Sequence, residues 1–394
     1  MKKLFTLFFL FFGLMSASQA QKISITENTQ LSLITCSPGP VAYEKFGHTG
    51  IRVYDESQSV DFVANWGIFD FEKENFYPLF VKGETYYWLD FQPTFSFLNS
   101  YRARNSSVTE QVLNLNDEQK QKLLDLILTN YKPENREYLY NFVFDNCATR
   151  PRDIINESLL PNMLETKHNF SEKSFRHLVT DYTGKFSWLQ FGIDLVFGKD
   201  ADEIATPFQT LFLPEELCKS YAVSFVVDEN DTEIPLVAEK NILVEKQDVP
   251  EKTSLLALPI VATSLVLLLG LLLMFFDYKR KKHSRWFDFI LLIITGIAGI
   301  IIFYLMFFSI HPLVKNNFNL LWCNPLNLIF AVMIWIRSSQ RTMIIIAAIQ
   351  VILYLLVLIV GALTIQTLNI AFLPLIGLML VRALHYLKMK RNKA

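Results

Sequence analysis

Hydrophobic positions divide this chain into two solvents. From Leu255 onward, long apolar runs recur with little polar interruption, near 255–276, 286–308, 320–336, 342–364 and 369–387. Each is read as a membrane-crossing helix, five in all, with the third the shortest. The segments between them alternate in charge: KRKKHSR is basic, HPLVKNNFN nearly uncharged, RSSQR basic, IQTLN uncharged and KMKRNK basic. Basic loops stay in the cytoplasm, so everything before Leu255 is expected on the outside. The amino terminus agrees. Lys2 and Lys3 precede an apolar stretch from Leu4 to Met15, and Ser18-Gln19-Ala20 has the form of a signal-peptidase site.

Before the membrane half, apolar residues recur at strand and helix spacing. LSLITCSPG, from Leu31, alternates weakly and ends in a Pro-Gly turn, so it reads as a first strand. Two β-rich runs flank Asp55-Glu56-Ser57-Gln58, the signature of a hairpin. With that loop, Tyr54 faces Ser59, and counting back sets His48 opposite Asn65. Residues 75–104 are aromatic-rich and read as irregular. Asn116–Tyr131 is an amphipathic helix with a cap-like start. The run Tyr140, Phe142, Phe144 is strand-like, and a helix follows Cys147 to about Leu160. Residues 171–182 read as helical, 221–245 as a hairpin, and Lys246–Ser254 as a charged linker. The expected division is a signal peptide at 1–20, a soluble domain at 21–250 and a membrane domain at 251–394. A soluble part of that size can bury a full core.

Charge and cysteine count narrow the function. Net charge is -1, with no basic stripe, which argues against nucleic acid as a partner. Four cysteines (Cys36, Cys147, Cys218, Cys323) are too few for a disulfide scaffold, and the spacing of Cys36 and Cys218 does not argue for a bridge. No Gly-x-Ser-x-Gly elbow, phosphate loop or dinucleotide fingerprint is present, and the remaining histidines have no metal-ligand spacing. Neither a metal nor a cofactor is expected.

The chemistry concentrates in YLYNFVFDNCATRPRDII, Tyr138–Ile155. Asp145-Asn146 is a turn or cap pair, and Cys147 follows it at the start of a helix, where unpaired backbone N–H groups favour thiolate. Pro151 fits only in the first turn. His48, in the small-residue setting Phe46-Gly47-His48-Thr49-Gly50, is the candidate base for Cys147. Asn65 is the candidate to orient the imidazole, with Asp61 or Asp70 as alternatives. Each residue alone has a plainer reading. A lone buried thiol is usually inert packing, and a lone histidine is usually a satisfied polar group.

FGHTGIRV, ANWGIFDFEKENFY and YNFVFDNCATRPRDII together resemble the Lnb-type periplasmic domain family over about residues 28–245, and the multi-span tail resembles the membrane region of that family. More distantly, the order His, then Asn-Cys, resembles circularly permuted papain-like proteins such as lecithin retinol acyltransferase. The resemblance implies an α+β periplasmic domain of permuted papain-like fold, followed by an all-α transmembrane bundle of about five helices, in the inner membrane. It implies a lipoprotein N-acyltransferase that moves an acyl chain from phospholipid to the N-terminal amine of a diacylated lipoprotein. Cys147 would carry the acyl group as a thioester, with His48 as base and the third group at Asn65. Asn146, Arg150, Arg152 and His311 are candidate substrate-binding groups, although arginines this near a helix start often form ordinary ion pairs. Trp322 beside Cys323 in the outer loop reads first as an interfacial anchor. Two other readings remain open: a cysteine hydrolase acting on peptidoglycan stems or lipid esters, and a non-catalytic envelope-binding domain.

Overall fold

Seven strands form one antiparallel sheet in the order β10-β5-β1-β2-β3-β4-β6. They are β1 (Gln30–Cys36), β2 (His48–Asp55), β3 (Val60–Ile68), β4 (Tyr86–Pro93), β5 (Val108–Leu113), β6 (Glu137–Leu139) and β10 (Val237–Val244). The computed structural model describes residues 24–227, 232–247, 254–281, 283–336 and 340–391. The expected signal peptide at 1–20 lies outside the described residues.

Both faces of the sheet are covered, so central strands such as β1 are buried at nearly every position, polar residues included, rather than at alternate ones. On one face Leu31, Leu33, Ile51, Val53, Ala64 and Trp66 pack with Leu123, Leu124 and Ile127 of the helix Asp117–Tyr131, and with Ile155 and Leu159 of the helix Thr149–Leu159. On the other, Ile34, Cys36 and Val63 pack with Phe97 and Tyr101 of the helix Thr94–Ala103. We number the helices α1 (Phe76–Lys82), α2 (Thr94–Ala103), α3 (Asp117–Tyr131), α4 (Thr149–Leu159), α5 (Phe175–Thr183), α6 (Trp188–Val196) and α7 (Pro214–Tyr221). The start of α3 is set by a capping box, with Asn116 taking the Gln119 N–H and the Gln119 side chain taking that of Asn116.

Three local readings are corrected. Residues 75–104 are not irregular: they build α1, β4 and α2, whose apolar positions are divided between two packing surfaces and so lack a single clean period. The run 140–144 is not a strand. Asn141 Oδ1 accepts the N–H groups of Val143 and Phe144, and Asn141 pairs with Asp145, turning the chain back on itself. The hairpin loop is Glu56–Ser59, because Asp55 ends β2 as a buried acceptor for the hydroxyls of Thr26, Thr29 and Ser57. The 221–245 segment splits. β8 (Ser224–Val227) and β9 (Glu233–Pro235) pair in a small sheet with β7 (Leu164–Thr166), and β10 crosses to the edge of the large one.

Four helices of the second half are long and apolar enough to cross a membrane: α8 (Pro259–Arg280), α9 (Arg285–Phe308), α11 (Gln340–Ala362) and α12 (Phe372–Arg391). The expected span at 320–336 is broken instead. A 3-10 turn, Phe318–Leu321, leads through Asn324-Pro325 into the short helix α10 (Leu326–Met333). Its non-helical backbone reaches the middle of α9, where Asn327 donates to Thr295 Oγ1 at 3.0 Å and to the Trp322 carbonyl at 3.0 Å. Irregular backbone at that depth survives only inside protein, and Asn319, Trp322, Cys323 and Asn327 are all buried.

The two halves are joined by polar contacts. Asp194 of α6 is the centre: it pairs with the buried Arg176 at 2.9 Å, accepts from Asn369 at 2.8 Å, and its carbonyl accepts from Asn319 at 2.9 Å. Gly198 donates its N–H to the Leu313 carbonyl, and a Cβ there would stand 1.7 Å from the Lys315 carbonyl oxygen, so only glycine permits this approach. Leu313, from the outer loop of the membrane half, packs with Val143, Phe175 and Phe212 of the other half.

Candidate active site

His48 begins β2 and Asn65 lies near the end of β3. The pairing register puts Gly50 opposite Asn65, two residues from the expected partner. A slip of one residue would have turned Asn65 to the other face; a slip of two keeps it on the same face as His48, on the diagonal. His48 Nε2 donates to Asn65 Oδ1 at 2.5 Å, and Asn65 Nδ2 donates to Gln92 Oε1 at 2.9 Å, so the amide is held from both ends. With Nε2 engaged, Nδ1 is the nitrogen left for the thiol.

Cys147 sits in the turn just ahead of α4. Asn146 makes that turn: its Oδ1 accepts the N–H groups of Ala148 and Thr149, and its Nδ2 donates to the carbonyls of Phe142 and Phe212. Pro151 falls in the first turn of the helix, as required. The chain that must pass closest to the thiol is Gly67, the residue at the β3 bulge opposite β4. Its φ is +90°, and a Cβ there would lie 3.4 Å from Cys147 Cβ and 3.9 Å from His48 Cε1. Histidine and thiol, far apart in sequence, meet across this glycine.

The electrostatics favour an ion pair. Burial pushes the Cys147 thiol up. The positive His48 ring, its hydrogen bond, and the backbone N–H groups of Thr49 and Cys147 outweigh that, and the pKa is lowered below an ordinary thiol's 9.0. Burial would likewise depress His48, but the Cys147 thiolate and the hydrogen bonds His48 donates to Cys147 and Asn65 raise it above the ordinary 6.5. Cys147 is half-buried. The other three cysteines are free and buried; burial pushes Cys36 well up, and the Tyr101 hydrogen bond and Arg104 offset only part of that.

The alternatives for the third group are engaged elsewhere. Asp61 pairs with Arg52 at 2.8 Å and accepts from Thr94, while Asp70 accepts the Glu72 N–H. The four candidate substrate contacts are likewise held by the protein. Arg150 makes two bonds to Asp145 and lies 4.0 Å over the Tyr138 ring. Arg152 is buried, bonded to Asp153 and stacked 3.8 Å over Phe208. Asn146 is spent on the turn, and His311 Nε2 donates to the Phe80 carbonyl at 2.8 Å, at the membrane face of α1.

One residue of the site has no signal in the sequence. The Tyr138 hydroxyl is buried without a hydrogen-bond partner among the described residues. It lies 3.8 Å from the point where a Gly67 Cβ would stand, beside Cys147. Burial, and next the nearby Cys147 charge, hold its pKa well above that of a free phenol, so the proton stays on. A buried donor left unpaired carries a free-energy cost, and at a reactive centre it is a place for a ligand oxygen. Its aromatic neighbours gave no reason to separate it from the core.

A family model described as the Lnb N-terminal periplasmic domain matches residues 17–180, which contain His48, Asn65, Tyr138 and Cys147. A second, the Lnb transmembrane domain, matches residues 251–393. No curated protein and no solved structure matches the chain. With both characteristic parts present in one chain and in order, an α+β domain on the periplasmic side and a helical membrane domain after it, this protein belongs to the Lnb family.

Proposed function

We propose that the protein is a lipoprotein N-acyltransferase of the bacterial inner membrane, using Cys147 as nucleophile. The observation that carries this reading is the juxtaposition of a lowered Cys147 thiol with a His48 ring fixed by Asn65, in a domain bonded directly onto a membrane bundle. The Lnb membership supports the reaction class.

In the first half-reaction His48 takes the Cys147 proton, and the thiolate attacks an ester carbonyl of a phospholipid. A carbon–sulfur bond forms, the carbonyl oxygen becomes an oxyanion, and the Tyr138 hydroxyl with the Cys147 backbone N–H donates to it. The carbon–oxygen bond then breaks, and the leaving alkoxide takes the proton from His48, releasing lysophospholipid. In the second half, the free α-amine of a diacylated lipoprotein attacks the thioester. A carbon–nitrogen bond forms, His48 takes the amine proton, and Cys147 leaves as thiolate. Asn65 keeps the ring in the tautomer and orientation both halves need.

The test supplies full-length protein in bilayers with a synthetic diacylated lipopeptide. Transfer gives a lipopeptide heavier by one acyl chain, blocked by Cys147→Ala. Release of free fatty acid with the lipopeptide unmodified, or cleavage of a peptidoglycan fragment, would replace the transferase with a hydrolase.

A further inference from the structure

The Cys147 site lies in the folded domain, while a phospholipid's acyl chain lies in the bilayer. Drawing that chain into water is unfavourable by roughly fourfold for each methylene. Some apolar surface has to accompany it from the membrane to the sulfur.

One continuous set of rings spans that interval. Tyr87 is the register partner of Tyr138, whose hydroxyl stands beside Cys147 at Gly67. It stacks on Phe69 at 4.8 Å, Phe69 on Phe76 at 5.9 Å, Phe76 on Phe80 at 6.0 Å, and Phe80 meets the His311 ring at 6.3 Å. Phe71 packs edge-on against both Phe69 and Phe76, yet is 45% exposed, and Phe80 is 47% exposed. Phe76 and Tyr87 are themselves buried, so the open part of this set is Phe71 and Phe80 with the half-buried Phe69, and aromatic surface left open in a connected patch, rather than scattered singly, marks a contact surface. At its far end the Ile310 N–H bonds to the Lys82 carbonyl, fastening α1 to the outer end of α9, whose Phe307 and Phe308 are exposed toward lipid. One end is therefore at the nucleophile and the other at the bilayer surface.

We infer that the aromatic line from Phe80 to Phe69 is the acyl-chain-binding surface, which carries one chain of an outer-leaflet phospholipid out of the bilayer while its ester reaches Cys147. This rests on the acyl-transfer reading. Its two ring-to-ring steps, 6.0 and 5.9 Å, cover much of one leaflet's hydrocarbon thickness, ~15 Å, so a chain can exchange lipid neighbours for aromatic ones along part of its length. The line ends at the membrane face of the same domain, which favours a bilayer lipid over a soluble acyl donor.

The experiment compares Phe71→Asp and Phe80→Asp with the natural protein, full length in vesicles of phosphatidylethanolamine and phosphatidylglycerol. Acylation of Cys147 by the vesicle lipid should slow about tenfold or more, since a carboxylate on the surface repels the chain. Acylation by water-soluble p-nitrophenyl acetate should stay within about twofold, which also reports that the variants fold. In parallel, Cys147→Ala is irradiated with phospholipid bearing a diazirine near the chain end, and crosslinks are expected on the peptide 69–80. Unchanged vesicle rates in both variants, or crosslinks confined to the membrane helices, would overturn the assignment. Crosslinks on 69–80 with no acyl group on Cys147 of the natural protein would keep the lipid surface and remove the thioester.

Discussion

Two of the places where the chain buries polar groups treat them in opposite ways. Around Asp194, where the domain meets the membrane bundle, both carboxylate oxygens and the backbone carbonyl have partners: Arg176, Gln190, Asn369 and Asn319. Around Cys147 a tyrosine hydroxyl is left without one, the cysteine is half-buried, and a glycine bulge keeps the space beside it small. A fully satisfied polar cluster has nothing left to offer a ligand; it fixes geometry. A cluster with an unspent donor, a lowered thiol and an oriented base is prepared for a reaction. Burial alone does not separate the two cases. The combination of an unpartnered hydroxyl with a lowered thiol and an oriented base does.

Substitutions at the two clusters should therefore diverge. Asp194→Ala leaves Arg176 with Asp202 but without its more buried partner, and should lower stability by about 3 kcal/mol, seen as an earlier melting transition of the full-length protein in detergent. Tyr138→Phe should do the reverse. It should slow acyl-enzyme formation by about 100-fold, the scale of one oxyanion donor, with melting unchanged or slightly later because an unpaired hydroxyl is gone. Earlier melting with unaltered rate in Tyr138→Phe would make that residue a packing group.

The ion pair gives a sharper contrast than either. Because the Cys147 pKa is lowered, the thiolate persists as pH falls below 9.0, and iodoacetamide should label Cys147 readily near neutral pH while leaving buried Cys36 untouched. Removing the cation with His48→Ala leaves burial opposed only by the Thr49 and Cys147 N–H groups, so the labelling midpoint should move up. A midpoint unmoved by His48→Ala would break the pair. The smallest effect is expected at Asn65→Ala, where the ring loses its orienting acceptor but keeps its proton chemistry: acylation should fall about tenfold, with Nε2 exposed to water.

Much of this site could be read from the chain. Asp145-Asn146 before Cys147 announced a turn feeding a helix, and the residues around His48 announced a strand close to a small-residue bend. What failed was counting. Asp55 looks like a turn residue, and only its three hydroxyl partners, two of them some thirty positions away in sequence, make it the last residue of β2. The error was an even number, so the face survived. Tyr138 was illegible because its importance is the absence of a partner, which no local pattern records. The broken third span hid for a related reason: the apolar run around Leu320–Ile336 satisfies the length rule, whereas Asn319 is held there by carbonyls of α6, and Asn327 by Thr295 of α9 and the Trp322 carbonyl. Those asparagines in an apolar stretch were the available signal.

The central claim is that the Cys147 sulfur carries an acyl group taken from phospholipid. Intact mass of the full-length protein after incubation with phospholipid tests it most directly, beside Cys147→Ala. The account predicts a gain of one acyl chain on the natural protein, removed by hydroxylamine and missing from the variant. An unchanged mass, or the same gain on Cys147→Ala, would contradict it.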